Sequence, residues 1–301
     1  MRRIYPISVT IIGGLGLGLA LTYLVGVVLA FVPGWEDWAD FFVPRALYLL
    51  IVPYVLLVGH LVLRNHVGRF LVGRGAYEEA VEYASRRMKA SLARSSREVA
   101  NQTIACARGH IGLGHYDEAQ ELLAGGEEEF PGSYAIEARR WQFEIALRRD
   151  DRPVCKELAV DEPGRHSSAR GNLAAILACE AELGLRDGDQ RRYEERLEDA
   201  FWEDASHPRV TLVRGLGMME FEDDDEEGEE VLDLLASMTE PIGDEIPARR
   251  AELQALRAIV ARRRGDGDEA RRLLDDARRG PTDHWTDVVV DRAQSVVDDD
   301  N

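Results

Sequence analysis

The sequence predicts an all-α protein, with an N-terminal two-helix transmembrane hairpin followed by an α-solenoid of about six helix pairs. Three observations lead there. Residues 7–32 and 46–63 contain no Asp, Glu, Lys or Arg, and uncharged runs of that length read as membrane spans. Beyond residue 66, apolar residues recur at intervals of three and four with charges between them, which is the period of amphipathic helices rather than of strands. A ten-residue phrase is written three times: GAYEEAVEYA at 75–84, GHYDEAQELL at 114–123 and GDGDEARRLL at 265–274.

At 1.5 Å per residue the first apolar run makes a helix of about 39 Å, enough to cross a hydrocarbon core of about 30 Å with tilt. The second, with Pro53 in its middle, is about 27 Å long and is sufficient. Arg2 and Arg3 precede the first span and Arg64, Arg69 and Arg74 follow the second, while the connector holds Glu36, Asp37 and Asp40 against Arg45. Basic flanks mark the cytoplasmic side. The expectation is therefore an integral membrane protein of two spans with both termini and the repeat domain cytoplasmic. In the connector, Trp35, Trp38 and Phe42 stand at helical spacing, as in either a short interfacial helix or a loop with aromatics at headgroup level. A cleaved signal peptide fits poorly, because the apolar run is too long, an A-x-A site is missing and a second apolar segment follows.

Gly13, Gly14, Gly16 and Gly18 lie inside the first run with no strand before them and no lysine after, so they do not make a nucleotide-binding loop. Gly14, Gly18, Thr22, Gly26 and Ala30 instead recur every four residues. That is a transmembrane packing stripe, against which the second span or another copy of the chain can lie closely. His60, near the end of the second span, is read as reaching the headgroups, since neither span holds an acidic partner for a polar pathway.

Aligning the three phrases on Gly75, Gly114 and Gly265 places Gly68, Ala107 and Ala258 seven residues earlier and Ala80, Ala119 and Ala270 five residues later. Two antiparallel helices joined by a tight turn need a glycine at the turn and small side chains where the axes cross. Leu123 or Leu274 follows as the larger knob, with Ala84 in the first unit, and Pro131 ends the second unit. The combination resembles the tetratricopeptide repeat (TPR), a helix-turn-helix unit of about 34 residues. Weaker copies follow. Gly188 keeps the turn glycine, with Ala181 before it and bulky Tyr193 after it; Arg149 and Asp223 stand where the turn glycine would be. Turns are thus expected at 75, 114, 149, 188, 223 and 265. The chain divides into a transmembrane hairpin at 1–66, a TPR-like solenoid at 67–281, and a capping helix with an acidic tail at 282–301. A non-repetitive helical bundle is the competing expectation.

The formal charge of −18 argues against nucleic acid as a partner. It is unevenly spread: residues 1–74 carry +3 and residues 75–301 carry −21, so an anionic leaflet would attract the first part and repel the second. Cys106, Cys155 and Cys179 form an odd set without CxxC spacing, which suits reduced, buried thiols. Cys106 and His110 lie four apart with His115 beyond, but no fourth ligand is in reach and no metal is expected. The acidic run at 220–230 opens like a calcium loop, yet Leu234 stands where a bidentate Glu is required. No G-x-S-x-G, H-E-x-x-H or G-K-[ST] motif occurs. The expectation is a non-enzyme without cofactor.

The TPR resemblance implies a concave groove lined by the first helix of each pair. Counting ten, six and two residues back from each expected turn gives Ile104 and Arg108, then Arg139, Phe143 and Leu147, then Glu182 and Arg186, then Val213 and Phe221, then Ile259 and Arg263. The candidate partner-binding residues are therefore Arg108, Arg139, Phe143, Arg186, Phe221 and Arg263, suited to a peptide with acidic and apolar side chains; solvated arginines are the plain alternative. The lysine and asparagine clamp of the chaperone-tail binding subclass is not reproduced at Ile104 and Arg108. The expected function is a membrane-tethered adaptor mediating protein-protein interaction. The alternative is an accessory subunit of a transport, secretion or assembly complex into which the hairpin packs.

Overall fold

The computed structural model describes residues 66–89, 95–159, 170–221, 246–279 and 283–298. The backbone forms two compact units, Met1–Val67 and Gly68–Asn301. Both expected spans, the stripe of Gly14, Gly18 and Gly26, the turn expected at 223 and the acidic run beyond Phe221 lie outside the described residues. Among the described residues no helix is long and apolar enough to cross a membrane.

The second unit is all-α. Among the described residues its helices are α1 (Tyr77–Lys89), α2 (Ser96–Gly112), α3 (Tyr116–Leu123), α4 (Gly126–Glu129), α5 (Ser133–Arg148), α6 (Arg152–Leu158), α7 (Arg170–Arg186), α8 (Gln190–Asp204), α9 (Pro208–Phe221), α10 (Pro247–Arg263), α11 (Gly267–Arg278) and α12 (His284–Asp298). α1 is preceded by helical residues 68–73.

The hairpin turns share one backbone construction. Gly75, Gly114, Gly188 and Gly265 all have φ between 70° and 82°, the left-handed region where a side chain is strained. At Gly114 the glycine N–H donates to the Ile111 carbonyl at 3.0 Å and the His115 N–H to the His110 carbonyl at 2.9 Å. The same pair of bonds closes the turns at Gly75, Gly188 and Gly265, satisfying carbonyls that a helix end leaves without partners. The next residue opens the second helix. Asp189 and Asp266 accept from the N–H groups of Arg192 and Glu269 at 3.1 and 3.0 Å, the N-cap bond that makes Asp a preferred helix opener.

The third turn departs from expectation by one residue. Its left-handed position is Asp150 (φ 55°), with Arg149 still in helical geometry as the C-cap of α5. Asp150 and Asp151 close the same two bonds, to Leu147 and Ala146. Asp tolerates this region better than other side chains, so a glycine is not required. The shift turns the inward face of α5 by about 100° relative to the expected row.

Packing follows the stacked-hairpin pattern. Partners within a pair touch (α2 with α3, α5 with α6, α7 with α8, α10 with α11), and α2, α5, α7, α9, α10 and α12 each touch the next of that series. This is how helical repeat arrays bury faces that single hairpins leave open. Ala80, Ala107, Ala119, Ala181, Ala258 and Ala270 are all fully buried, so the small seam read from the sequence lies inside. At α8 the bulky Tyr193 is accommodated by the neighbouring layer: a Cβ at Gly217 of α9 would overlap its hydroxyl. α12 starts with Asp283 accepting from the Thr286 N–H at 2.8 Å and buries Val289, Val290, Ala293 and Val297 against the last pair.

Candidate functional site

The first helices carry charged residues on the face that looks inward. With the third turn at Asp150, the positions six and two residues before the turn are Glu144 and Arg148 on α5, and Glu182 and Arg186 on α7. Residues four apart lie above one another on a helix. Each pair is an ion pair along its own helix, Arg148 Nε to Glu144 Oε1 at 3.2 Å, and Arg186 to Glu182. α9 adds Arg209 from its first turn, α10 adds Arg249 and Glu252 one turn apart, and Asp283 and Thr286 come from the start of α12.

These groups form one buried network. Arg249, fully buried, reaches Glu144 at 2.7 Å, Glu182 at 2.9 Å and Glu252 at 2.6 Å. Arg148 Nη1 donates to Glu252 at 2.8 Å, Asp283 at 2.7 Å and the Thr286 hydroxyl at 3.1 Å. Arg209 pairs with Glu182 and, at 3.3 Å, with Glu144. Arg186 adds a bond to the Leu147 carbonyl at 2.6 Å. Arg148, Arg186, Arg209 and Arg249 thus face Glu144, Glu182, Glu252 and Asp283, and the opposing charges balance. Burial alone disfavours every one of these ions; mutual pairing makes the set tolerable.

The titration directions follow from that geometry. Burial works to raise the Glu144 carboxyl, but the guanidiniums of Arg209, Arg249 and Arg148 together outweigh it and hold Glu144 below the usual carboxylate range. Glu182 is likewise held well below it, against burial, by Arg209, Arg249, Arg186 and Arg148. Asp283 is lowered too, burial being overcome by Arg148 and by bonds from Thr286. These carboxylates are ionised in the folded chain.

A cleft of about 180 Å³ opens on this network, lined by Arg140, Trp141, Glu144, Ala175, Cys179, His207, Pro208, Arg209, Ile246 and Arg249. Arg140 lies over the Trp141 ring at 4.6 Å and donates to Asn172 at 3.2 Å. His207 Nδ1 accepts from the Arg209 N–H at 3.1 Å. Burial, then the positive charge of Arg140, lowers the His207 pKa to about 4; Asp204 opposes this and Arg209 adds a smaller lowering effect. Neutral His207 therefore carries its proton on Nε2.

The expected groove row is placed differently. Arg108 is buried, 3.9 Å from Glu137 and over Trp141 at 5.1 Å. Arg139 donates to the carbonyls of Leu158 and Ala159 at 2.8 and 2.7 Å. Phe143 is fully buried in a cluster with Cys155, Ile176 and Leu183, and Arg186 belongs to the ionic network. Arg263 is exposed near the end of α10, and the Phe221 side chain lies outside the described set. Arg108, Phe143 and the Arg186 side chain are thus buried, while Arg139 is half-buried. The one-residue offset on α5 displaces Arg139 and Phe143 from the counted row, and the start of α10 packs Ile246 and Ala248 into the same cluster as Ile104 and Trp141.

Cys106, Cys155 and Cys179 are free thiols and buried. Burial is the main cause that raises Cys155 to about 12 and Cys179 to about 11, which leaves both protonated and unreactive. Among the described residues no group of three or more His, Cys, Asp or Glu side chains is arranged to hold a metal ion.

The fold and this interior define an all-α protein of stacked helical hairpins with a charge-balanced core. No family model matches the sequence, and no curated protein resembles it closely enough to count as a relative.

Proposed function

We propose that the protein is a membrane-tethered, TPR-like adaptor that positions other proteins at the cytoplasmic face of a membrane, without catalysis or cofactor. The observation that supports it is the recurring hairpin: the same left-handed turn with the same two closing bonds appears at Gly75, Gly114, Gly188 and Gly265, with buried alanines five residues after it at all but Gly188, where Tyr193 stands. Stacked hairpins of this kind present extended surfaces suited to protein partners. Burial keeps the Cys155 and Cys179 thiols protonated, and Glu182 is ion-paired with Arg249, so none of these three groups is an activated nucleophile.

The test has two steps. Crosslinking of the full chain in its membrane, followed by mass spectrometry, should capture a reproducible set of proteins absent from a control that carries residues 1–74 alone. Replacing residues 1–63 by an unrelated anchor should leave that set unchanged. No capture above the control refutes the adaptor role, whereas capture that disappears on anchor replacement favours a subunit whose hairpin packs into a membrane complex. The stripe of Gly14, Gly18 and Gly26 motivates that second reading.

A further inference from the structure

α8 turns two adjacent aromatic side chains to solvent: Phe201 is 49% exposed and Trp202 79%. The helix is seated by its other face, where Tyr193 and Ala200 are buried. An indole left in water forgoes the burial of a large apolar surface. Glu194 and Glu198 stand seven and three residues before Phe201, and eight and four before Trp202, so the four share one face of the helix, and all four are exposed. Among the described residues neither carboxylate has a cationic partner: Glu194 accepts from the Gln190 amide at 2.8 Å and Glu198 from the Trp202 indole N–H at 3.4 Å. By contrast, Glu195 and Asp199 are paired with Arg191 at 3.3 Å and Arg196 at 3.2 Å. The rings lack a cation too. Elsewhere the chain sets Arg74 over Phe70, Arg140 over Trp141 and Arg186 over Trp285, between 4.6 and 4.8 Å away. Among the described residues no guanidinium lies over Phe201 or Trp202.

We propose that this face of α8 docks a basic segment of a partner protein, with an arginine or lysine stacked on the Trp202 ring and paired with Glu198, and an apolar side chain laid against Phe201. A cation over an indole is attracted by the ring, and the attraction grows as water is excluded. Exposed tryptophans are the side chains on which binding energy most often concentrates. Charge selects the occupant. Residues 75–301 carry −21, which steers a basic partner toward this surface. The same charge repels an anionic bilayer. A second copy offering the same face would set Glu194 and Glu198 against their own equivalents. The partner is thus opposite in charge to the acidic peptide expected of the arginine row, in which Arg186 is already paired with Glu182. The inference rests on the adaptor reading and adds the chemistry of the protein that is captured.

The experiment uses the full chain in its own membrane, with a photo-crosslinking amino acid in place of Ala205, which is exposed and lies one turn beyond Phe201 and Trp202. Mass spectrometry of the crosslinked peptides should identify a protein segment that carries arginine or lysine within one helical turn of an apolar residue. A synthetic peptide of that segment then titrates the full chain in micelles. Trp202→Ala should weaken binding at least about tenfold. Glu194→Gln combined with Glu198→Gln should weaken it about fivefold and reduce its salt dependence. Asp268→Asn, an exposed acid on α11, should leave it unchanged. The substituted side chains are exposed, and far-UV circular dichroism confirms that each variant is folded. Crosslinks to lipid, to another copy of this chain or to a segment without basic residues overturn the proposal, as does an affinity unchanged in both α8 variants. No crosslink from position 205 in a chain that still captures proteins by general crosslinking overturns it and leaves the adaptor reading standing; no capture by either route removes both.

Discussion

Replacing Arg249 by methionine tests whether the interior is held together by charge balance. Arg249 is fully buried and reaches Glu144, Glu182 and Glu252 within 2.9 Å, so the substitution leaves four carboxylates, those three and Asp283, against Arg148, Arg186 and Arg209. Removing one partner from a buried ion set costs about 3–5 kcal/mol, a large part of the 5–15 kcal/mol typical of folded proteins. The sign of the pH dependence is specific. Glu144 and Glu182 lose a cation that depresses their pKa, so one of them takes up a proton as the solution is acidified, and the loss shrinks from about pH 8 toward about pH 5. Adding Glu144→Gln to the Arg249→Met chain restores neutrality and should recover at least about 1 kcal/mol, although Glu144→Gln alone destabilises. Urea denaturation of the full chain in micelles, followed by far-UV circular dichroism at both pH values, measures these quantities. A loss below about 1 kcal/mol, or one that does not depend on pH, refutes the account of the network given above.

Other expectations follow from single contacts. Gly184→Ala would set a Cβ 2.8 Å from the backbone nitrogen of Tyr193, where nothing flexible can yield, and should destabilise the α7–α8 hairpin by about 2–3 kcal/mol in the same assay. Gly217→Ala should cost about 1–3 kcal/mol by overlapping Tyr193, and Tyr193→Ala should make it nearly neutral in a double-mutant cycle. Asp150→Gly relieves a left-handed side chain and should gain about 0.5–1 kcal/mol; a measured loss would contradict the turn geometry. His207 has a folded pKa of about 4, below its ordinary 6.5. The unfolded chain binds more protons between those values, so stability should fall as pH drops from 6.5 through 4, by at most about 3 kcal/mol. His207→Asn should flatten that part of the pH profile.

Glycine and alanine made much of the fold readable in advance. A glycine at each tight turn and alanines at fixed distances on either side are direct demands of backbone geometry and close helix approach, so Gly75, Gly114, Gly188 and Gly265 marked four hairpins correctly. The third turn was misplaced because an aspartate occupies its left-handed position, and the sequence alone does not distinguish Asp150 from the neighbouring Arg149 or Asp151. That single step concealed the interior. Counted from Asp150, Glu144 and Arg148 repeat the Glu182 and Arg186 spacing, and an E-x-x-x-R sequence at matching positions of adjacent units was the available signal. Arg209, Arg249 and Asp283 carried no such signal. Their meeting depends on how the later helices come back against α5 and α7, a long-range event that no local period records. Nor could hydropathy show that Phe201 and Trp202 would remain exposed, since that is a property of the finished packing.

The ion pairs from Arg148 to Glu252 and Asp283 join residues 104 and 135 positions apart. Linear repeat arrays gain stability unit by unit, and end units can be trimmed or added with modest effect. Here the last hairpin and its cap neutralise the middle of the chain, so trimming at residue 245 would strand Arg148 without two of its carboxylates and Glu182 without Arg249. These long-range pairs couple the last helices to the middle ones, so the described helices should unfold as one cooperative unit rather than repeat by repeat.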